Sequence, residues 1–153
     1  MTRVIKLLAA FLLVASIGAR AETPDMTGEI WSVCGWDGNS TWHDTRLVFT
    51  NQSPAKDGHH LEGYFDWRGS RGSYGREYFQ GTLTPDGMLS LRGLRLEESL
   101  NIVLSRYRAN LSNSGTALLD GVWLDGIPGM WAAIRDGGSG SAAKLCDAPN
   151  LSV

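Results

Sequence analysis

The sequence repeats a short segment in which a central glycine has an apolar residue two positions away on each side. The copies are LEGYF (residues 61–65), FQGTL (79–83) and LDGVW (119–123), and LRGLR (91–95) lacks the last apolar residue. Alternation with a period of two is typical of a β-strand with one buried face. The glycines recur at uneven intervals, which excludes a solenoid. The pattern therefore indicates one type of strand used several times.

Eight segments with strand character follow one another, and none of the chain has a convincing helical period. Short polar or glycine-rich stretches separate them, as in hairpin connections. Eight short strands joined in this way predict an all-β sandwich or closed barrel. The predicted strands are residues 28–34, 45–51, 61–67, 77–84, 88–96, 101–112, 116–124 and 130–135.

Pro85-Asp86-Gly87 predicts a three-residue hairpin loop, with the glycine in the left-handed conformation. Such a loop fixes the register of the two strands it joins. It places Phe79 opposite Gly93 and Gly81 opposite Leu91, all on the apolar face.

Asn113-Ser114-Gly115 predicts a second loop of the same kind. The register it implies places Tyr107 opposite Gly121 on the apolar face. On the polar face it places Arg108 opposite Asp120, a favourable cross-strand pair.

Both registers turn the motif glycines toward the interior, each facing a larger side chain. An inward glycine lets a strand coil sharply, which a small barrel requires in order to close. We therefore predict an eight-stranded antiparallel up-and-down (meander) barrel. Its interior is expected to be well filled by Leu61, Phe65, Phe79, Leu89, Leu91, Tyr107 and Leu119.

The N-terminus has the pattern of an export signal. Arg3 and Lys6 precede a short apolar run, residues 7–18, and Ala19-Arg20-Ala21 is a small-residue cleavage site. We predict a signal peptide over residues 1–21 and a single domain over residues 22–153, secreted or periplasmic. No second apolar run of spanning length follows, so we expect no membrane span after removal of the signal.

The charge of the predicted mature chain argues against nucleic acid as a partner. The whole chain has 16 acidic and 14 basic residues. Arg3, Lys6 and Arg20 leave with the signal peptide, so 11 basic residues remain and the net charge is −5. A surface of this sign repels phosphate groups.

Cys34 and Cys146 are the two cysteines of the chain. In an oxidising compartment two cysteines usually pair, so we predict a disulfide between them. The bridge would stabilise the fold by about 4–5 kcal/mol in the chain-entropy model. A reactive or metal-binding thiol would need a nearby base or further ligands.

One end of the predicted barrel collects aromatic and charged side chains. Tryptophan, tyrosine and arginine are frequent anchors of binding sites, and aromatic residues at a barrel mouth suit a ligand. Glu77 and Arg95 are expected to face each other at the rim. Alternatively, the tryptophans simply plug the barrel. The candidate binding residues are Trp36, Trp42, Trp67, Arg71, Tyr74, Glu77, Arg95 and Trp123.

The sequence contains no complete catalytic or metal motif. His43 and Asp44 are adjacent on an extended segment and point apart, and no serine or cysteine nearby is identifiable as a nucleophile. Glu62 and Asp66 are expected on the outer surface rather than in a cleft. We therefore predict no enzymatic activity, no cofactor and no metal.

Eight meandering strands, a signal peptide and Leu-x-Gly-x-aromatic segments together resemble the calycin-like barrels of the avidin and lipocalin type. This likeness implies a secreted barrel that binds a small molecule. Ser70-Arg71-Gly72-Ser73-Tyr74 resembles, less closely, the Ser-Gly-x-x-Tyr loop of bacterial periplasmic lysozyme inhibitors. That second likeness implies a protein partner.

The sequence thus predicts a non-catalytic binding protein that uses the wide mouth of a small barrel for a small apolar or aromatic ligand. The alternative is a protein-binding inhibitor of an extracytoplasmic hydrolase. A third expectation concerns the outer wall, where Leu94, Leu104, Leu118 and Leu124 form an apolar surface. We expect the tail or a second copy of the chain, in a homo-oligomer, to cover it.

Overall fold

A computed structural model of the protein describes residues 23–136. Within them, eight antiparallel strands form a closed barrel in which every strand pairs with its neighbours in sequence and β1 pairs with β8. The strands are β1 (Ile30–Trp36), β2 (Thr45–Ala55), β3 (Gly58–Arg68), β4 (Tyr74–Leu83), β5 (Met88–Leu100), β6 (Arg106–Leu111), β7 (Ala117–Trp123) and β8 (Gly129–Arg135). The predicted meander barrel is therefore confirmed.

The predicted signal peptide, residues 1–21, lies outside the described residues. Over residues 23–136, no helix has the length and apolar character needed to cross a bilayer. Cys34 is buried in β1, whereas Cys146 lies outside the described residues, so the disulfide stays a prediction.

Several strand boundaries differ from the sequence prediction. Residues 52–60 were expected to form a loop, but β2 and β3 continue to pair until Ala55 lies opposite Gly58. Residues 101–105 were expected in a strand, yet β6 begins only at Arg106. Since β5 continues to Leu100, the β5–β6 connection at the barrel mouth is residues 101–105 rather than the predicted 97–100.

Aromatic rings fill the interior of the barrel. Phe65 lies at their centre, with ring centroids 4.8 Å from Tyr107, 5.3 Å from Phe79 and 5.8 Å from Trp131. Phe49 continues the cluster, 5.7 Å from Phe79. Below the mouth the barrel is therefore a packed core.

The hairpin between β4 and β5 has the predicted register. Phe79 lies opposite Gly93 and Gly81 opposite Leu91. Gly87 has a φ of 89°, a left-handed conformation that glycine adopts without strain. The amide of Thr84 donates to the carbonyl of Met88 at 3.0 Å and closes the loop.

The hairpin between β6 and β7 differs from the prediction. The amide of Ser112 donates to the carbonyl of Ala117 at 2.8 Å, and the amide of Ala117 donates to Ser112 Oγ at 3.1 Å. The loop therefore has four residues, 113–116, instead of three. The register shifts by one residue, and Leu111 lies opposite Leu118.

A β-bulge in β7 then shifts the register by one more residue. Asp120 has a φ of 53° at this bulge, and beyond it Tyr107 lies opposite Trp123. The predicted pairs of Tyr107 with Gly121 and of Arg108 with Asp120 are therefore wrong. Gly121 still faces inward, but it is Trp131 of β8 that covers it.

The same bulge exchanges the faces of two leucines. Leu118, predicted on the outer wall, is fully buried, while Leu119, predicted in the core, is half-buried. Leu94 and Leu104 are 48% and 42% exposed, and Leu124 is 38% exposed. Three of the four leucines predicted on the outer wall are therefore exposed, and one is in the core.

Candidate ligand-binding mouth

A cavity of about 240 Å³ opens at one end of the barrel. The β1–β2, β5–β6 and β7–β8 connections surround it, and the ends of β3 and β7 contribute side chains. Its lining is mostly aromatic and aliphatic, with two carboxylates. The main lining residues are Asp37, Trp42, Trp67, Ile102, Val103, Tyr107, Trp123, Asp125 and Ile127.

Three tryptophans form nearly perpendicular walls of this cavity. The ring of Trp42 makes an angle of 77° with Trp67 and 83° with Trp123. Trp67 and Trp123 make an angle of 74°. The centroids are 5.4 Å apart for Trp42 and Trp67, 5.7 Å for Trp67 and Trp123, and 6.5 Å for Trp42 and Trp123. Edge-to-face contacts of this kind stabilise aromatic pairs.

Asp37 organises the β1–β2 connection that holds Trp42. Its Oδ1 accepts hydrogen bonds from the amides of Asn39 at 2.9 Å and Ser40 at 2.8 Å. Its Oδ2 accepts from Trp42 Nε1 at 3.2 Å. An aspartate that accepts from amides two and three residues ahead is a common turn former. The carboxylate therefore fixes both the loop and the indole.

Trp123 is held by backbone from two other elements. Its Nε1 donates to the carbonyl of Ile127 at 2.8 Å. Its ring lies against Gly35 of β1 and Gly129 of β8, where any Cβ atom would clash with the indole. The absence of side chains at these two positions gives Trp123 its place.

Glu77 supports the cavity from below as a fully buried carboxyl group. Its Oε2 accepts a hydrogen bond from Trp67 Nε1 at 3.0 Å and a short one from the Tyr107 hydroxyl. Its Oε1 accepts from the Ser105 amide at 2.9 Å. The Glu77 carboxyl group thus links the Trp67 wall, the Tyr107 ring beneath the cavity and the β5–β6 connection.

Burial shifts the pKa values of this cluster. Removal from water raises the pKa of Glu77, and the hydrogen bonds from Tyr107, Ser105 and Trp67 oppose that rise. The pKa of Tyr107 is raised well above that of a free tyrosine by burial and by the charge of Glu77. Tyr107 is therefore a hydrogen-bond donor here and keeps its proton.

The predicted pair of Glu77 and Arg95 is wrong. A bulge in β5 adds one residue at Leu94, so Arg95 lies opposite Tyr78 and Glu77 lies opposite Leu96. The Arg95 guanidinium is on the outer surface, 3.5 Å from the centroid of the Tyr78 ring. Gly93 immediately precedes the extra residue, but a glycine inside a strand does not by itself distinguish a bulge from sharp coiling.

The other candidate residues lie away from the cavity. Trp36 is half-buried at the end of β1, and Arg71 is exposed in the β3–β4 connection. Tyr74 is 41% exposed and lines a shallow surface groove with Arg68, whose guanidinium carbon is 5.8 Å from the tyrosine ring. Of the eight candidates, Trp42, Trp67 and Trp123 line the cavity, and Glu77 supports it.

Sequence reasoning missed the rim of the cavity. Val103 and Ile127 are 55% and 50% exposed at its edge. Asp125 accepts a bidentate hydrogen bond from Arg106, at 2.8 and 2.9 Å, which lowers the pKa of its carboxyl group. The pattern Asp37-Gly38-Asn39, typical of a turn, was the one available signal for Asp37.

The arrangement is suited to holding an apolar group against the indole rings, with the Asp37 and Asp125 carboxylates at the same cavity. Over residues 23–136, no three histidine, cysteine, aspartate or glutamate side chains come together as metal ligands would.

Comparison with protein-family models, with curated proteins and with solved structures finds no match for this chain. The closed antiparallel barrel of eight strands agrees with the architecture of the calycin-like barrels, and the likeness extends to architecture alone.

Proposed function

We propose that the protein is a secreted or periplasmic, non-catalytic binding protein that takes a small apolar or aromatic ligand into the mouth of its barrel. One observation carries this proposal: Trp42, Trp67 and Trp123 stand nearly perpendicular around an open cavity. Tryptophans that only plugged the barrel would leave no cavity beside them. Hydrogen bonds from two of the indoles to Asp37 and Glu77 hold the walls in place without a ligand.

The size of the cavity limits the ligand. An apolar cavity of about 150 Å³ accepts benzene, and sites for drug-sized molecules begin at about 300 Å³. At about 240 Å³, the mouth suits a group with one or two rings or a short branched chain. Since Phe65 and Tyr107 close the barrel below, the ligand stays at the mouth.

Titration of tryptophan fluorescence with a series of one-ring and two-ring compounds tests the proposal. Binding should change the emission, because three of the six tryptophans line the cavity. Replacing Trp42 with alanine should weaken binding about tenfold or more, by loss of one wall. Trp36→Ala is the matched control, since Trp36 lies outside the lining. If no compound changes the emission at millimolar concentration, the proposal is wrong.

A protein-binding inhibitor of an extracytoplasmic hydrolase is the second candidate. The aliphatic rim favours it, because Val103 and Ile127 expose half of their surface beside the cavity. Arg71 and Tyr74 are also accessible on the β3–β4 side. Exposed residues of these types are common in protein interfaces.

Inhibition assays against lysozyme and related cell-wall hydrolases test the second candidate. The variants Arg71→Ala and Tyr74→Ala should lose inhibition while their circular dichroism spectra stay unchanged. Full hydrolase activity in the presence of excess protein would rule out inhibition of lysozyme and related cell-wall hydrolases.

A further inference from the structure

We propose that the ligand of the mouth carries a cationic centre, a primary or alkylated ammonium group, which binds between the three indole rings and the Asp37 carboxylate. This inference rests on the proposed ligand-binding function and specifies the chemical class of the ligand.

The charged side chains that line the cavity are both acidic. Asp37 and Asp125 are among its lining residues, and among the described residues that line it there is no lysine or arginine. An anionic ligand would therefore lose its hydration beside carboxylates without gaining a partner. A cation would gain attraction from a carboxylate that has no ion-pair partner of its own.

Of the two carboxylates that line the cavity, Asp37 is the one without an ion-pair partner among the described residues. Its hydrogen bonds come from the amides of Asn39 and Ser40 and from the Trp42 indole, which are neutral donors. It takes part in none of the ion pairs found over residues 23–136. Asp125, by contrast, is neutralised by Arg106 at 2.8 Å. A partly buried carboxylate at the cavity wall thus has no ion-pair partner among residues 23–136.

The indole walls favour the same ligand. The face of an aromatic ring is electrically negative and attracts cations, most strongly for tryptophan. The centroids of Trp42, Trp67 and Trp123 lie within 6.5 Å of one another. All three indoles line the cavity, so an ammonium group there can approach the indole surface that faces the cavity and make a cation–π interaction.

Two sources can supply this chemistry: a free ammonium compound, or the ammonium of a side chain presented by a protein through the exposed rim. The shared requirement is a compact cation with an apolar surface. The experiment below separates the two.

The test compares probes that differ only in charge. Choline is compared with its neutral isostere 3,3-dimethylbutan-1-ol, and benzylammonium with benzyl alcohol and benzoate, by calorimetry and tryptophan fluorescence. We expect each cation to bind about tenfold more tightly than its neutral counterpart, and benzoate to bind least. Added salt should weaken the binding of the cations and leave that of the neutral probes unchanged.

Asp37→Asn removes the charge and keeps the acceptor oxygen for the loop amides. It also removes the acceptor of Trp42 Nε1, so 3,3-dimethylbutan-1-ol, whose binding reports the shape of the cavity, is measured alongside. The affinity for choline should fall about tenfold more than the affinity for this neutral alcohol. Asp57→Asn, in the β2–β3 turn at the opposite end of the barrel, is the matched control. The salt dependence of the wild-type protein tests the same point without any substitution.

The possible outcomes distinguish failure of the cationic-ligand proposal from failure of the proposed binding function. Equal affinity for cations and neutral isosteres overturns the cationic ligand and leaves the proposed function intact. Absence of binding by every probe overturns both. A short peptide with one trimethyllysine decides the source: tighter binding than choline indicates a protein-borne cation, and equal or weaker binding indicates a free compound.

Discussion

Gly93 lies directly against the carboxyl group of Glu77. A Cβ atom at position 93 would overlap Glu77 Oε1 and approach the Ser105 amide to 3.1 Å. The glycine of this strand motif therefore provides the space that a buried carboxyl group occupies, in addition to allowing the strand to coil.

Replacing Gly93 with alanine should destabilise the barrel by roughly 2–4 kcal/mol. The methyl group displaces the Glu77 carboxyl and leaves its donors without an acceptor. Chemical denaturation measures the change in the free energy of unfolding. Arg92→Ala, at the exposed neighbouring position of β5, is the control and should change it by less than about 0.5 kcal/mol. A Gly93→Ala variant as stable as the control would show that the carboxyl is elsewhere.

Glu77 should make the stability of the protein depend on pH in a defined direction. Its pKa in the folded state is raised above the ordinary value of 4.5. Protonation of Glu77 therefore stabilises the folded state. This contribution to the free energy of unfolding is fully present below about pH 4.5 and is lost as the pH rises through the folded-state pKa. Glu77→Gln resembles the protonated form and lacks this dependence.

The measurement is the free energy of unfolding of the wild type minus that of Glu77→Gln, followed from pH 4 upward. The difference should decline with rising pH and then level off. A difference that stays constant, or that grows with pH, would mean that the pKa of Glu77 is not raised.

Tyr107→Phe removes one donor to Glu77 and keeps the ring. The variant should lose roughly 1–3 kcal/mol of stability, because Glu77 Oε2 retains a single donor, Trp67. Since the Tyr107 hydrogen bond lowers the pKa of Glu77, its loss should raise that pKa further. Carbon-13 NMR of the Glu77 carboxyl measures the titration. An unchanged titration would show that the hydroxyl does not donate to it.

Asp120 allows a test of the bulge in β7. Its φ of 53° is in the left-handed region, which glycine adopts more easily than aspartate. Asp120→Gly should therefore stabilise the protein by up to about 1 kcal/mol, and Asp120→Val should destabilise it by at least as much. Without the bulge, Asp120 would be extended and glycine would be the destabilising choice. Thermal unfolding measures whether Asp120→Gly raises or lowers the stability. A rise indicates the bulged strand, and a fall indicates a regular extended strand.

The disulfide between Cys34 and Cys146 is tested by thiol titration of the folded, unreduced protein, which should find no free thiol. Cys34→Ser should then lower the free energy of unfolding by about 4–5 kcal/mol. Titration of two thiols would contradict the predicted bridge.

The two hairpins show what could be predicted from the sequence. Residues 85–87 contain a glycine where a left-handed φ is needed, so the register of β4 and β5 followed from the turn alone. The register of β6 and β7 depends on the Ser112 hydroxyl and on an aspartate in a left-handed conformation. Neither leaves a distinctive pattern, because both residue types are also common in ordinary turns.

The same limit applies to the mouth. Its tryptophans were predictable because they stand at or beyond the ends of strands whose direction was known. The cross-strand partner of Glu77 was not predictable, because an extra residue at Leu94 turns Arg95 outward. The role of Asp37 depends on the conformation of a loop, which hydrophobic alternation does not describe.

Trp123 rests on Gly35 and Gly129, which belong to the first and the last strand of the barrel. These strands are far apart in sequence, and contacts of long separation are costly to form during folding. A chain in which β2 to β7 have paired but β1 and β8 have not would lack the backbone that positions this indole. Ligand binding at the mouth would therefore require a closed barrel. A bound ligand would stabilise the closed barrel against separation of β1 from β8.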